Sequence, residues 1–259
     1  MKKMICMMLV TVMAVSLAAC GAKKDESTAD TTEGSSSDTL IVGTEPGFAP
    51  YEYMEGDKIV GIDMDIAQAI ADAMGKKLEI KSMDFDGALI AVQQGKIDFV
   101  AAAVSVDEKR AKVMDFSKDY VNSSEVIVVN KENPMVKDMD DLNDKIIGVQ
   151  QGNIADFYVS DEENVKAKEV KRYTKFAQAA EDLKNSKIDC IVMDQYPAEE
   201  LVKSNDTLTI LDGVLFQDKY AIAIQKGNKE LQDKINEVIT QLIDDGKIEE
   251  FTANHTNKK

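Results

Sequence analysis

Short apolar runs alternate with amphipathic stretches along most of the chain. Leu40-Ile41-Val42-Gly43 reads as a first buried strand, and Glu55-Gly56-Asp57 as a turn signal. Ile62, Ile66, Ile70 and Met74 recur every four residues, with Asp63, Gln68 and Asp72 on other faces. This predicts an amphipathic helix stopped by Gly75. Leu78-Glu79-Ile80 predicts a strand. Leu89, Ile90 and Val92 predict a helix that ends at Gly95, with Asp86 as its N-cap, and Ile97 to Val104 an apolar strand. The pattern then restarts: Lys145 to Gln150 mirrors the first strand, Phe176, Ala177, Ala180 and Leu183 form a helix, and a strand runs through Met193. Lys187-Ile188-Asp189 before that strand echoes Lys96-Ile97-Asp98 in the first half. Finally, Tyr220 to Ile224 predicts a strand and Leu231, Ile235, Val238, Ile239 and Leu242 an amphipathic helix ended by Asp245-Gly246-Lys247, with a last turn at Ile248 and Phe251.

Strands alternating with helices predict parallel sheets flanked by helices. The restart predicts an α/β protein of two Rossmann-like lobes with a cleft between them. Lobe 1 comprises residues 39–121 and 220–259, and lobe 2 residues 122–219. Two crossings, near Asp119–Ser124 and Gln217–Ala221, join the lobes. Clefts of this kind, at the C-terminal ends of strands, are favoured ligand sites.

The start of the chain adds a compartment. Lys2 and Lys3 precede an uncharged apolar run, Met4 to Ala19, too short for a span of roughly 20 residues. It ends in Leu17-Ala18-Ala19-Cys20, so residues 1–19 read as a secretory signal and resemble a bacterial lipoprotein signal, with Cys20 as the lipidated new N-terminus. Residues 20–38, rich in Ser, Thr, Asp and Glu, read as a flexible tether. The expected location is the outer face of the cell membrane, held by the N-terminal lipid.

Charge and composition narrow the chemistry. The net charge of −16 becomes −18 once residues 1–19 and their two lysines leave. An acidic body argues against nucleic acid as a partner. Of three cysteines, Cys6 leaves with the signal, Cys20 takes lipid, and Cys190 reads as a small buried hydrophobe in a strand. The single histidine, His255, lies in a polar C-terminal stretch. That argues against His-based nucleophilic catalysis and His-ligated metal. No catalytic residue, metal or cofactor is expected.

Several segments together resemble the polar amino-acid family of bacterial solute-binding proteins, family 3, from Thr39 to about Thr252. Gly61-Ile62-Asp63-Met64-Asp65-Ile66 with Ile70-Ala71 and Met74 is similar to the family signature. Met83-Asp84-Phe85-Asp86-Gly87, Ala103-Val104-Ser105-Val106 with Asp107-Glu108-Lys109-Arg110, Val149-Gln150-Gln151-Gly152, and Met193-Asp194 resemble segments near the family's cleft. The resemblance implies the periplasmic-binding-protein type II fold and assigns roles by position. Arg110 would pair with a ligand α-carboxylate, helped by the N–H groups of Ser105 and Ile154. Asp194, the Ser105 hydroxyl and the Ala103 carbonyl would accept the α-ammonium. Phe48 and Phe85 would sandwich the side chain, and Glu45 would face its tip. The family often has Gly where Ala103 stands, so the extra methyl is expected to narrow the pocket. The implied partners are an amino acid, basic first and then glutamine, and the permease and ATPase of an ABC importer. A monomer is expected. A sensory receptor, or an enzyme related to cyclohexadienyl dehydratases, are the alternatives on this scaffold.

Overall fold

A computed structural model describes residues 38–256. The expected signal, Cys20 and the tether up to residue 37 lie outside the described residues. In chain order the elements are β1 Thr39–Thr44, β2 Gly47–Phe48, β3 Glu52–Glu55, β4 Lys58–Val60, α1 Ile62–Ala73, β5 Lys77–Ser82, α2 Phe85–Gln93, β6 Phe99–Ser105, α3 Glu108–Val113, β7 Met114–Phe116 and β8 Val121–Asn130. Then follow β9 Ile146–Gln150, α4 Ile154–Val159, β10 Glu169–Tyr173, α5 Phe176–Lys184, β11 Cys190–Asp194, α6 Gln195–Lys203, β12 Leu208–Ile210, β13 Phe216–Gln225, α7 Lys229–Asp244 and α8 Lys247–Thr256.

The large sheet runs β10-β9-β11-β8-β13-β6-β1-β5, with β12 beside β8 and β7 beside β13. Its two ends are parallel, as the alternating pattern predicts: β1 pairs with β5 and β6, and β9 with β10 and β11. The middle is antiparallel, which the pattern does not predict. Strand β13 runs against β6 and β8, and β8 against β11. The two crossings expected near residues 119–124 and 217–221 are these strands, bonded side by side from Val121↔Tyr220 to Glu125↔Phe216. A small sheet β2-β3-β4 stands apart, turned at Gly56-Asp57.

Amphipathic helices cover the faces for the reasons their periods give. In α7, Leu231, Ile235, Val238, Ile239 and Leu242 are buried, and in α1 Ile62, Ile66 and Ile70 are. Each such side chain contributes roughly 1.5–3 kcal/mol by leaving water. Strand β6 is buried along its whole length, which fits an uninterrupted apolar run covered on both faces. Gly61 opens α1 at φ 138°, and a Cβ there would stand 2.0 Å from the Tyr51 carbonyl oxygen, so only glycine fits the corner. Cys190 is buried in β11 as a free thiol, as its flanking residues predict.

Two expectations change here. Asp63, placed on a polar face by the period of α1, is fully buried. His255 belongs to helix α8 rather than to a loose polar end: its ring bonds Tyr53 Oη and Asp65 Oδ2, each at 2.9 Å. No helix among the described residues is long and apolar enough to cross a membrane.

Candidate functional site

A small cavity opens where the β1–β6 end of the sheet faces the β9–β11 end. Phe48, Phe85, Ala103, Ser105 and Ile154, five of the eight expected ligand-binding residues, line it. The others adjoin them. Arg110 lies over the Phe85 ring at 5.5 Å, Asp194 accepts from Tyr220 of the lining at 2.7 Å, and Glu45 accepts from Gln150 of the lining at 3.1 Å. The enclosed volume is about 10 Å³, roughly what one water molecule needs.

Arg110 is positioned by helix α3. The N-cap Asp107 accepts from the N–H groups of Lys109 and Arg110, and its carboxylate also lies 3.3 Å from the Arg110 Nε. The guanidinium is buried between the rings of Phe85 and Phe157. Its two terminal nitrogens donate to the carbonyls of Ser105, at 2.6 Å, and Gly152, at 2.7 Å. Burial pulls its pKa down, while the charges of Asp107 and Asp218 hold it up. Arg110 is thus a buried cation beside the cavity.

The carbonyl partner Gly152 and the residues after it belong to the other end of the sheet. Asn153 caps α4 by accepting from the Asp156 N–H, so the Ile154 N–H is the first of that helix. Such N–H groups lack partners inside the helix and favour anions.

Several acidic groups adjoin the cavity as well. Asp194 caps α6 through the Tyr196 N–H and accepts from the Tyr220 hydroxyl; burial pushes its carboxyl up to about 7. Asp218 accepts from the Ser105 hydroxyl. That hydroxyl was expected to face an ammonium; in this conformation it donates to Asp218 instead. Glu45 is 2% exposed, so its carboxylate lies inside rather than in solvent. Burial pushes its pKa up, and Lys175, whose Nζ is 3.7 Å away, pulls it down. Phe48 stacks on Tyr51 and on Phe176 of α5, each at 5.9 Å, so one ring bridges the two ends of the sheet.

Ala103 stands at φ 48°, in the left-handed region. Asp63 holds it there by accepting from the Ala103 N–H at 2.8 Å, and it also accepts from the Tyr120 hydroxyl. The preference for glycine at this position therefore has a backbone cause. The signature residue Asp63 reaches the site through this bond, although the motif reads as a mere structural corner.

Sequence reasoning misses three groups in or around the cavity. Gln150 lies within a segment it singles out, but with no role. Glu125 and Tyr220 come from strands β8 and β13, which the sequence suggests only as crossings between the lobes. Asp86 is not a cap: Asp84 holds that position, and Asp86 accepts from Gln151 Nε2 at 2.6 Å, across the cavity rim.

Residues 40–258 match the bacterial extracellular solute-binding proteins, family 3. The arginine-binding extracellular protein ArtP of Bacillus subtilis (strain 168) is 31% identical over 257 residues, covering 97% of this chain and 96% of its own. Among solved structures, a mutant of ArgBP from T. maritima has a TM-score of 0.79 at 34% identity, covering 85% of this chain and 96% of that one. An ancestral arginine-binding protein bound to arginine has a TM-score of 0.78 at 38% identity, covering 84% and 98%.

Proposed function

The chain belongs to the bacterial extracellular solute-binding proteins, family 3, and on that premise we propose that it captures a polar L-amino acid and delivers it to an ABC permease and its ATPase. Its fold is the family's type II arrangement, with two Rossmann-like lobes and a cleft. One observation carries the reading: a buried cation, Arg110, and a buried acid, Asp194, adjoin one aromatic-lined cavity. That pair matches the two charges every amino-acid backbone carries.

In this reading the lobes are residues 39–121 with 220–259, and 122–219. Arg110 takes the α-carboxylate, since a guanidinium has five donors and two suffice for its present carbonyl partners. The N–H groups of Ser105 and Ile154 assist. Asp194 and the Ala103 carbonyl take the ammonium, and Phe48 and Phe85 flank the side chain. Glu45 and Gln150 face its tip. A carboxylate there favours a basic side chain and disfavours aspartate and glutamate, since like charges in a closed cleft cost several kcal/mol. Aromatic faces also attract a cation. The names of ArtP and of the ancestral protein agree with arginine as first choice. Lys175 beside Glu45 offsets part of that pull, which keeps glutamine as second choice. The protein acts without catalysis, as a monomer, tethered outside the membrane by lipid on Cys20.

Calorimetry with arginine, glutamine and glutamate tests this. Arginine is expected to bind tightest, and Arg110→Ala to weaken it by about 2–5 kcal/mol. Tighter binding of glutamate than arginine, or wild-type affinity in Arg110→Ala, would overturn the assignment. For the anchor, Cys20→Ala is expected to leave the membrane fraction or to stay unprocessed. A processed, membrane-bound variant would refute the lipid.

A further inference from the structure

The crossing strand β8 carries a carboxylate that the amino-acid reading does not use. Glu125 is 2% exposed and lines the cavity. Its register partner across the antiparallel β8–β11 pair is Asp194. Directly opposite residues share one face of a sheet with Cβ atoms about 4.5–5.5 Å apart. Asp194 has both oxygens engaged, by the Tyr196 N–H and the Tyr220 hydroxyl, whereas Glu125 Oε2 is buried without a hydrogen-bond partner.

The groups around this pair are nearly all acidic or neutral. From β13 come Asp218, Tyr220 and the apolar Phe216, and from α6 Tyr196 and Glu199. Tyr51 packs edge-on against Tyr220. The cation Arg110 acts on Asp218, which in turn takes the Ser105 hydroxyl. Both Asp194 and Asp218 repel charge on Glu125. Two buried carboxylates opposite each other in the sheet cannot both ionise at little cost.

We propose, resting on the amino-acid reading above, that Glu125 is a second acid of the ammonium site and that Glu125 and Asp194 trade one shared proton for the ligand's ammonium. On binding, the carboxyl O–H of the pair breaks, its proton leaves to solvent, and the freed carboxylate accepts an N–H of the incoming –NH3⁺. The site thus exchanges one cation for another and keeps its net charge. Burial pushes both carboxyls up, Asp194 to about 7; nearby charge adds to this, from Asp194 and Asp218 on Glu125 and from Asp218 and Glu199 on Asp194.

The sign follows. With folded pKa values raised, the pair's contribution to the stability of the ligand-free protein is fully present below about pH 4, the unfolded value, and is lost as pH rises towards about 7. Affinity runs the opposite way, rising with pH by up to about tenfold per unit, the limit for one proton released per ligand.

Titration calorimetry with L-arginine at pH 5 to 8, in phosphate and in Tris, reads the exchange directly. The binding heat is expected to differ between the buffers by up to one proton per arginine. Glu125→Gln, which removes one of the two carboxyls, is expected to bind with a smaller buffer dependence and to melt with a flatter pH profile when ligand-free. Wild-type heats that ignore the buffer, with a flat affinity from pH 5 to 8, would overturn the proposal even if the variant failed to fold. So would full proton release by Glu125→Gln. Failure of all twenty amino acids to bind would instead sink the proposed function, and the exchange with it. Intact binding with no proton release would sink the exchange alone.

Discussion

At Ala103 a single dihedral angle carries information that side-chain size does not. A non-glycine residue at φ 48° costs roughly 1–2 kcal/mol, and glycine there would give back about 0.5–1 kcal/mol through the unfolded chain. Ala103→Gly is therefore expected to raise stability by up to about 1 kcal/mol in denaturant unfolding. Asp63→Ala works the other way. It strands the Ala103 N–H and the Tyr120 hydroxyl, and each buried orphan costs about 1–3 kcal/mol. Thermal denaturation should show a drop of several degrees, with arginine affinity falling as the strand end relaxes. The sequence could not reveal this role. Periodicity places Asp63 beside an apolar stripe, but its partner lies 40 residues away. Arg110 and Asp194 could be singled out only because each ends a segment that resembles one of the family's. Glu125 was not, since it precedes the apolar run Val126–Val129 and reads as a polar flank.

Among the elements, length decided what could be read. Helices α1 and α7 span enough turns for their period to show. Helices α3 and α4, of six residues each, do not. Nor could the antiparallel middle of the sheet be foreseen, because β8 is buried on both faces along Val126–Val129 and shows no alternation. One short element has a testable tie. Asp115 of β7 accepts from the Gly227 N–H at 2.8 Å and pairs with Lys226 at 2.9 Å and Lys229 at 3.2 Å, which pins β7 to the turn that opens α7. These partners lower its carboxyl to about 2. A lowered folded pKa gives stability that is present above the unfolded value, near 4, and fades as pH falls towards 2. Asp115→Asn should melt earlier than the parent at pH 7, and the gap should close near pH 2.

For the molecule as a whole, the cavity of about 10 Å³ means that no amino acid reaches the site unless the lobes part. Hydrogen bonds that span the cavity include Gln151 to Asp86, Arg110 to Gly152 and Gln150 to Glu45, beside the Phe48–Phe176 stack. Small-angle scattering should show a smaller radius of gyration once arginine saturates the protein, as lobes close around a ligand that touches both. An unchanged radius would place the site within one lobe. Gln151→Ala removes a rim bond that touches no ligand group, so stopped-flow kinetics should show dissociation a few-fold faster with little change in association.

The strand at the middle of the sheet, β13, is also the last one made. While the chain emerges from the ribosome, β8 to β12 can already pair among themselves, and β1, β5 and β6 likewise. The edge of β6 nevertheless stays bare until residues 216–225 arrive to fill the gap between the two groups. A bare edge is a template for wrong partners, and closing it pairs residues far apart in sequence, such as Phe99 with Ile224, which is slow. A nascent chain halted before Phe216 should therefore remain open to protease along its first third. The finished protein should become resistant there only after synthesis passes Gln225.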